Sequence, residues 1–211
     1  SNRMVPLYQQ LWSSQAPDFV SENEEILAAV DAVRGHAGNR GVWVVDRGGD
    51  RINLFNPLLD RGARFLVRLR GDRHLVFNGK TLLASDVAQG CVCKHRNTVV
   101  RMREGREETL ELRFGFRRVK LPERSEVLYL LVIHGFGQEP LMLLTTEPLR
   151  ATHQCLWYWV RAYTKRWAIE ETIRHIKTSY DLENVRVLTY QGLRNLMALL
   201  LGVLFFNACI L

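Results

Sequence analysis

Lysine is scarce in this chain. Only five of its 29 basic residues are lysines, at positions 80, 94, 120, 165 and 177. Arginine carries the rest of the positive charge, and against 22 acidic residues the formal net charge is +7. An arginine fork matches phosphate oxygens two at a time, so this bias points to a nucleic-acid partner. A GC-rich genome produces the same bias equally well, so charge by itself supports only a basic surface that tolerates DNA. Cysteine is scarce too. Cys91, Cys93, Cys155 and Cys209 give one C-x-C pair, with no C-x2-C repeat and no histidine at a zinc-binding spacing. This argues for packing over metal at Cys91 and Cys93, which share one side of an expected strand, and the few scattered thiols suit a reducing cytoplasm. Internal repeats, low-complexity tracts and a helix-turn-helix are absent from the sequence, and no segment reads as a signal peptide. The longest apolar run, 196–211, has 16 residues interrupted by Gly202 and Asn207. A spanning helix needs about 20, so a buried core helix is expected there and no membrane partner.

What is present is a globular balance over 211 residues, 47% hydrophobic and 24% charged, enough chain for a substantial core. Residues 1–70 read as an edge segment over Met4–Leu11, a helix over Glu22–Arg34 opened by a Ser21-x-x-Glu24 capping box, a strand over Val42–Val45, a short helix over Asn53–Asp60 and a strand over Phe65–Leu69. Pro57 disfavours continuous helix unless it falls in the first turn. Residues 71–148 change to short alternating runs such as Thr109–Phe114 and the apolar Val127–Ile133, divided by Gly, Asn and Pro turns, which argues antiparallel strands. Arginines 96, 101, 103, 106, 113, 117 and 118 fall there, many at alternating positions that would line one sheet face. Such a face suits DNA phosphates and equally suits solvent. Residues 149–211 read as helical.

Two motifs carry chemistry. In the first, Tyr163, Arg166, Glu170 and Lys177 stand at offsets 0, 3, 7 and 14. At about 100° per residue they fall within roughly 60° on one face of a helix. Ile169, Ile173 and Ile176 on the adjoining arc would anchor that helix to a core. A carboxylate flanked by cations suits a metal ion that meets a phosphate. The plainer reading, a solvated face with scattered ion pairs, stays open. In the second motif, Asp46 ends the Val42–Val45 run, which reads as a buried central strand, and Gly48 and Gly49 loosen the turn behind it. A carboxylate there would sit in a ligand crevice of an α/β sheet, or simply cap the next segment. For Asp50 a turn role is the better explanation, and His175, off the stripe, receives no role.

Together these residues resemble the DDE-type insertion-sequence transposases, in the branch whose third catalytic acid lies in a Tyr-Arg-Glu-Lys (YREK) signature. Tyr163, Arg166, Glu170 and Lys177 keep its spacing. Asp46-Arg47-Gly48 resembles its second-aspartate motif, and Leu58–Gly62, Phe65–Arg68 and Leu143–Thr146 fit the flanking text.

The resemblance implies an α/β RNase H-like core of the retroviral integrase superfamily, begun by residues 1–70. An antiparallel β-rich insertion at 71–148 would interrupt it, and the signature helix and an apolar helix at 149–211 would complete it. It implies a cut-and-paste DNA transposase whose endonuclease and strand-transfer steps depend on two Mg²⁺ or Mn²⁺ ions. Asp46 and Glu170 would be the catalytic metal ligands. Arg166 and Lys177 would hold phosphates, and Tyr163 would stack on or hydrogen-bond a displaced strand end, with helix packing as its alternative. Transposon-end and target DNA, a homodimer on that DNA and a bacterial, nucleoid-associated cytoplasmic location follow by the same analogy.

The family's first aspartate lies on an earlier strand. Before Asp46 this chain has only Asp18, Glu22, Glu24, Glu25 and Asp31 as acids, none ending a strand-like run. The chain is therefore expected to be a fragment lacking the first strand and inactive alone. Two alternatives are a non-catalytic DNA-binding remnant and an RNase H-like nuclease without strand transfer.

Overall fold

The computed structural model describes residues 5–15, 19–103, 106–179, 181, 184–187 and 189–210. Within these, the side chains of residues 101–103, 106, 168, 171, 172, 175, 176, 179 and 210 are outside the description. The chain forms two compact units, one of residues 41–171 and one of residues 1–40 with 172–211. Asp18, Leu211 and the start of the 4–11 segment lie outside the described residues, as do the side chains of His175 and Ile176.

The unit at 41–171 is a mixed α/β structure built on a six-stranded sheet. Its strands are β1 (Trp43–Val45), β2 (Phe65–Arg68), β5 (His95–Arg103), β6 (Arg106–Val119), β7 (Leu128–His134) and β8 (Leu141–Thr145), in the spatial order β1-β2-β8-β7-β6-β5. Only β1 and β2 are parallel, with Val45 opposite Val67, and the other neighbours are antiparallel. Strands β3 (His74–Phe77) and β4 (Lys80–Leu83) pair separately as a hairpin. Four strands of the 71–148 segment thus extend the sheet that β1 and β2 begin.

β1 corrects one expectation: among the described residues it is an edge strand, and its residues are only half-buried. A β-branched run marks a strand and its pleat, but not how many neighbours it acquires. Beside it, Phe65, Leu66 and Val67 of β2 are fully buried. On one face Phe65 meets Phe55, with ring centroids 5.6 Å apart. Phe55, Leu54 and Leu58 form the buried stripe of α2 (Ile52–Asp60). On the other face Leu66 joins a core with Leu112, Phe114, Leu131, Ile133 and Leu143, closed by Leu156, Trp159, Val160 and Tyr163 of α4 (His153–Lys165).

Helix α2 continues through Pro57, contrary to the sequence-based expectation. Three large apolar side chains buried to within 1% outweigh one missing amide, because a fully buried Leu or Phe contributes about 1.5–3 kcal/mol. The arginines of β5 and β6 do not share one face either. Register places Arg96 opposite Arg113 on the same face as Arg117, while Arg118 belongs to the other face. Strand alternation has a strict period of two, so odd and even positions of β6 separate.

In the other unit, α1 (Glu22–Ala37) is capped by Ser21, whose side chain accepts from the Glu24 amide. Residues 5–13 carry no regular secondary structure, so the expected edge segment is not a strand. Tyr190 Oη donates to the Leu11 carbonyl at 2.7 Å, fixing this segment to α6 (Tyr190–Ile210).

Helix α6 also departs from expectation. It is 21 residues long, and Leu199 and Phe206 are 71% and 58% exposed, so it is not a buried core helix among the described residues. It is long and apolar enough to cross a membrane by length and composition only.

Candidate functional site

Asp46 follows the last residue of β1 and caps a 3₁₀ turn at Arg47–Gly49. Its Oδ1 accepts from the Gly48 amide at 2.8 Å. Gly49 is required sterically, and Gly48 packs closely against the Asp46 side chain. A Cβ on Gly48 would lie 3.0 Å from Asp46 Oδ1, and one on Gly49 would lie 2.5 Å from Val45 Cγ1. The turn therefore folds back tightly on β1 and leaves the Asp46 carboxylate exposed. The capping role foreseen for this residue is real, and it occupies one oxygen.

Asp50, the residue that ends the turn, is 4% exposed and far more than a turn residue. It accepts from the Arg70 amide at 2.7 Å and from Arg73 Nε at 2.6 Å. Arg73 also donates to the Asp50 carbonyl and lies over the Phe55 ring. This carboxylate ties the end of the 3₁₀ turn to the chain leaving β2, and so fixes the base on which Asp46 stands.

The Tyr163–Lys177 signature does not lie on one uninterrupted helix. α4 ends at Lys165 and α5 spans Trp167–Ser179, with Arg166 between them. The amide of Arg166 bonds to Tyr163 O at 3.0 Å, and that of Ile169 to Arg166 O at 2.9 Å. Both are i→i−3 bonds, so the chain winds more tightly here than an α-helix and the regular 100° stripe is broken. Trp167 sits at the break with its ring edge against Phe136, centroids 5.2 Å apart.

The break nevertheless groups three signature residues. Arg166 Nη2 donates to Glu170 Oε1 at 2.7 Å, and the guanidinium lies 5.6 Å from the Tyr163 ring centroid. Burial works against the charge of Arg166, but the hydrogen bond to Glu170, with Tyr163 beside it, outweighs burial and raises its pKa. Glu170 is itself open, with its side chain 63% exposed against 14% for Arg166.

Tyr163 is fully buried, and its hydroxyl has no hydrogen-bond partner among the described residues. Direct stacking on DNA is thus not open to it in this structure, and the packing alternative fits its position. Lys177 is exposed in the last turn of α5. Ile169 and Ile173 are 42% and 48% exposed, so they do not anchor α5 as expected. Periodicity fixes which residues share a helix face, but not what covers it.

A cavity of about 360 Å³ adds residues that the motifs did not single out. Arg47, Arg68 and Arg70 line it together with Phe136, Gln138 and Met142. Arg68 is one position beyond Val67, the register partner of Val45, so Arg47 and Arg68 both stand at the carboxyl ends of the parallel pair. Arg70 is held by Asp72 in a two-pronged ion pair, whereas Arg47 and Arg68 have no acidic partner among the described residues. The sequence signal that locates them is an arginine at the carboxyl end of each parallel strand.

No group of three or more potential metal-binding side chains occurs among the described residues. The donors present are nonetheless hard carboxylate oxygens with solvent access, which fit Mg²⁺ or Mn²⁺ better than soft metals. The family model described as Transposase DDE domain matches residues 15–206. No curated protein matches the chain.

Proposed function

Because the chain belongs to the transposase DDE domain family, whose members act on DNA and generally use divalent metal ions, we propose that it is part of a cut-and-paste transposase of the YREK branch. The observation that carries this reading is the pairing of Arg166 with an exposed Glu170 at the break between two helices. A cation there holds the carboxylate in one orientation while leaving it open to solvent. The arginines at the carboxyl ends of β1 and β2 support the same reading, since they suit a phosphodiester backbone.

In the proposed mechanism a water oxygen attacks phosphorus at the transposon end, and the bond to the 3′ oxygen breaks. The freed 3′-hydroxyl then attacks a phosphodiester of target DNA; a new bond to that phosphorus forms, the bond to the target's own 3′ oxygen breaks, and the proton passes to that leaving oxygen through solvent. Divalent ions, when bound, supply positive charge to the scissile phosphate. Asp46 and Glu170 would hold them, together with one further aspartate on a strand paired with the free edge of β1, which would complete an RNase H-like core. Arg166 orients Glu170, and the buried Tyr163 ring supports Arg166. Arg166 and Lys177 would neutralise DNA phosphates. In this reading residues 71–148 are the β-rich insertion between the second and third acids, 1–70 and 149–211 belong to the core, and the chain alone lacks activity. The setting is the bacterial cytoplasm, with a homodimer bridging two ends and no membrane partner.

The test is incubation of the transposase polypeptide carrying this chain with transposon-end DNA, plasmid target and Mg²⁺. Cleavage followed by joining is the expected result. Cleavage without joining would reassign it as a nuclease, and DNA binding with neither step would make it a non-catalytic DNA-binding protein.

A further inference from the structure

Arg96, Arg113 and His134 form one row across three neighbouring strands. Register sets Arg96 of β5 opposite Arg113 of β6, and Arg113 opposite His134 of β7, so the three side chains leave the same face of the sheet. Side chains directly opposite have Cβ atoms about 4.5–5.5 Å apart, which puts three basic groups on a line about 10 Å long. Both arginines are exposed and His134 is half-buried. Like charges directly opposite destabilise a sheet, yet neither arginine is ion-paired with an acid among the described residues. Glu111, exposed two positions along β6 on the same face, does not pair with them either. Arg117, further along, is engaged elsewhere. Its Nη2 donates to the Gly90 carbonyl just past α3 (Ala84–Gln89), and its guanidinium lies 5.5 Å from the Phe77 ring centroid.

The backbone holds the row in place. The His153 ring donates to the Arg96 carbonyl at 3.0 Å, fixing the start of β5 against α4. The segment before β5, not itself a strand, presses on β6, where a Cβ on Gly115 would lie 2.5 Å from the Val92 carbonyl oxygen. After His134 the chain turns at Gly135, whose φ is 113° and where a Cβ would collide with the Glu111 carbonyl oxygen. Only glycine permits that approach, and it seats the imidazole beside Arg113. Burial, and then the Arg113 charge, holds the His134 pKa below its ordinary range. Near neutral pH the ring is therefore uncharged and offers one N–H.

The row also has a fixed relation to Asp46. β1 and β2 run parallel, and two antiparallel steps through β8 return β7 to the same direction. His134, the last residue of β7, thus stands at the same end of the sheet as Asp46 and Arg68. Four strand spacings separate β1 from β6. At about 4.8 Å each they span about 19 Å, the length of roughly five to six base pairs of duplex.

We propose that Arg96, Arg113 and His134 grip the phosphate backbone of DNA about half a helical turn from the phosphodiester held at Asp46. The inference rests on the transposase reading of that site. Two guanidinium forks and one imidazole N–H donate to phosphate oxygens, and the phosphates supply the negative charge that the row otherwise lacks. Such a contact positions the duplex without reading its sequence.

The experiment titrates the transposase polypeptide carrying this chain against labelled transposon-end duplex at several salt concentrations. Arg96→Gln combined with Arg113→Gln should weaken binding about tenfold and shallow the slope of log affinity against log salt by about two units. Its thermal midpoint should equal or exceed the parent's, because a repulsive pair has gone. A lower midpoint with an unchanged slope would make the row structural and overturn the proposal. Ethylation of single phosphates should impair parent binding roughly five to six base pairs from the cleaved bond, and interference confined to other phosphates would also overturn it. Should the double variant fail to fold, Arg96→Gln on β5 decides alone, with a slope change of about one unit. An unchanged slope with cleavage intact overturns the proposal and leaves the transposase reading standing. A shallower slope in a polypeptide that binds DNA but never cleaves it keeps the row as a DNA contact and overturns that reading. Absence of salt-dependent binding by the parent overturns both.

Discussion

Arg166 and Glu170 are joined at 2.7 Å across the break between α4 and α5, with the arginine mostly enclosed and the carboxylate mostly open. An exposed (i, i+4) ion pair on a helix contributes only about 0.3–0.5 kcal/mol to stability. Stabilisation of the fold is thus a weak explanation for the arrangement, and orientation of Glu170 is the stronger one.

Glu170→Gln keeps the shape of the side chain and removes its charge. In the transposase polypeptide it should reduce Mg²⁺-dependent cleavage to background, while the thermal midpoint and DNA affinity stay near those of the parent. Unfolding of the variant, measured by circular dichroism, would place Glu170 among the structural residues.

Asp50 makes the opposite prediction. Its side chain is 1% exposed and its partner Arg73 is 22% exposed, so Asp50→Ala leaves a guanidinium and the Arg70 amide without their acceptor. Breaking such a pair costs about 3 kcal/mol. Urea unfolding should show this loss, and a change below about 0.5 kcal/mol would mean that Asp50 does not hold the turn.

Lys177 tests the contact with DNA. Lys177→Ala should weaken binding to all end sequences alike, and should shallow the dependence of log affinity on log salt by about one unit. Titration of labelled duplex at several ionic strengths measures this. An unchanged slope would remove Lys177 from the interface.

His134 predicts a pH response. Burial, and then the charge of Arg113, its register partner on β6, hold the imidazole below its ordinary range. The unfolded chain therefore binds the proton first, near pH 6.5. Below that pH the unfolded state carries more protons than the folded one, so stability falls as pH drops towards the folded value. Above about pH 7.5 this contribution is fully present. The urea midpoint should be lower at pH 5.5 than at 7.5, and His134→Gln should reduce the difference; an unaltered difference would show that other groups cause it.

Local signals in the sequence located the helix capped by Ser21, the strand before Asp46 and the antiparallel runs Thr109–Phe114 and Val127–Ile133, which fall in β6 and β7. Each depends on side chains a few positions apart, so periodicity and capping chemistry are sufficient to find it. The spacing of Tyr163, Arg166, Glu170 and Lys177 was legible for the same reason, and the family match to residues 15–206 agrees with the transposase resemblance that spacing carried.

Contacts between distant segments decided the rest. β1 became an edge strand because among the described residues only β2 pairs with it, and pairing partners are not encoded in a three-residue run. The signature helix broke at Arg166, where the i→i−3 bonds replace α-helical ones while Trp167 meets Phe136, 31 residues away in sequence. Asp50 became a buried anchor because Arg70 and Arg73 return to it from the far end of β2. Sequence pattern sets which side chains share a face; burial and charge pairing depend on what the folded chain brings against that face.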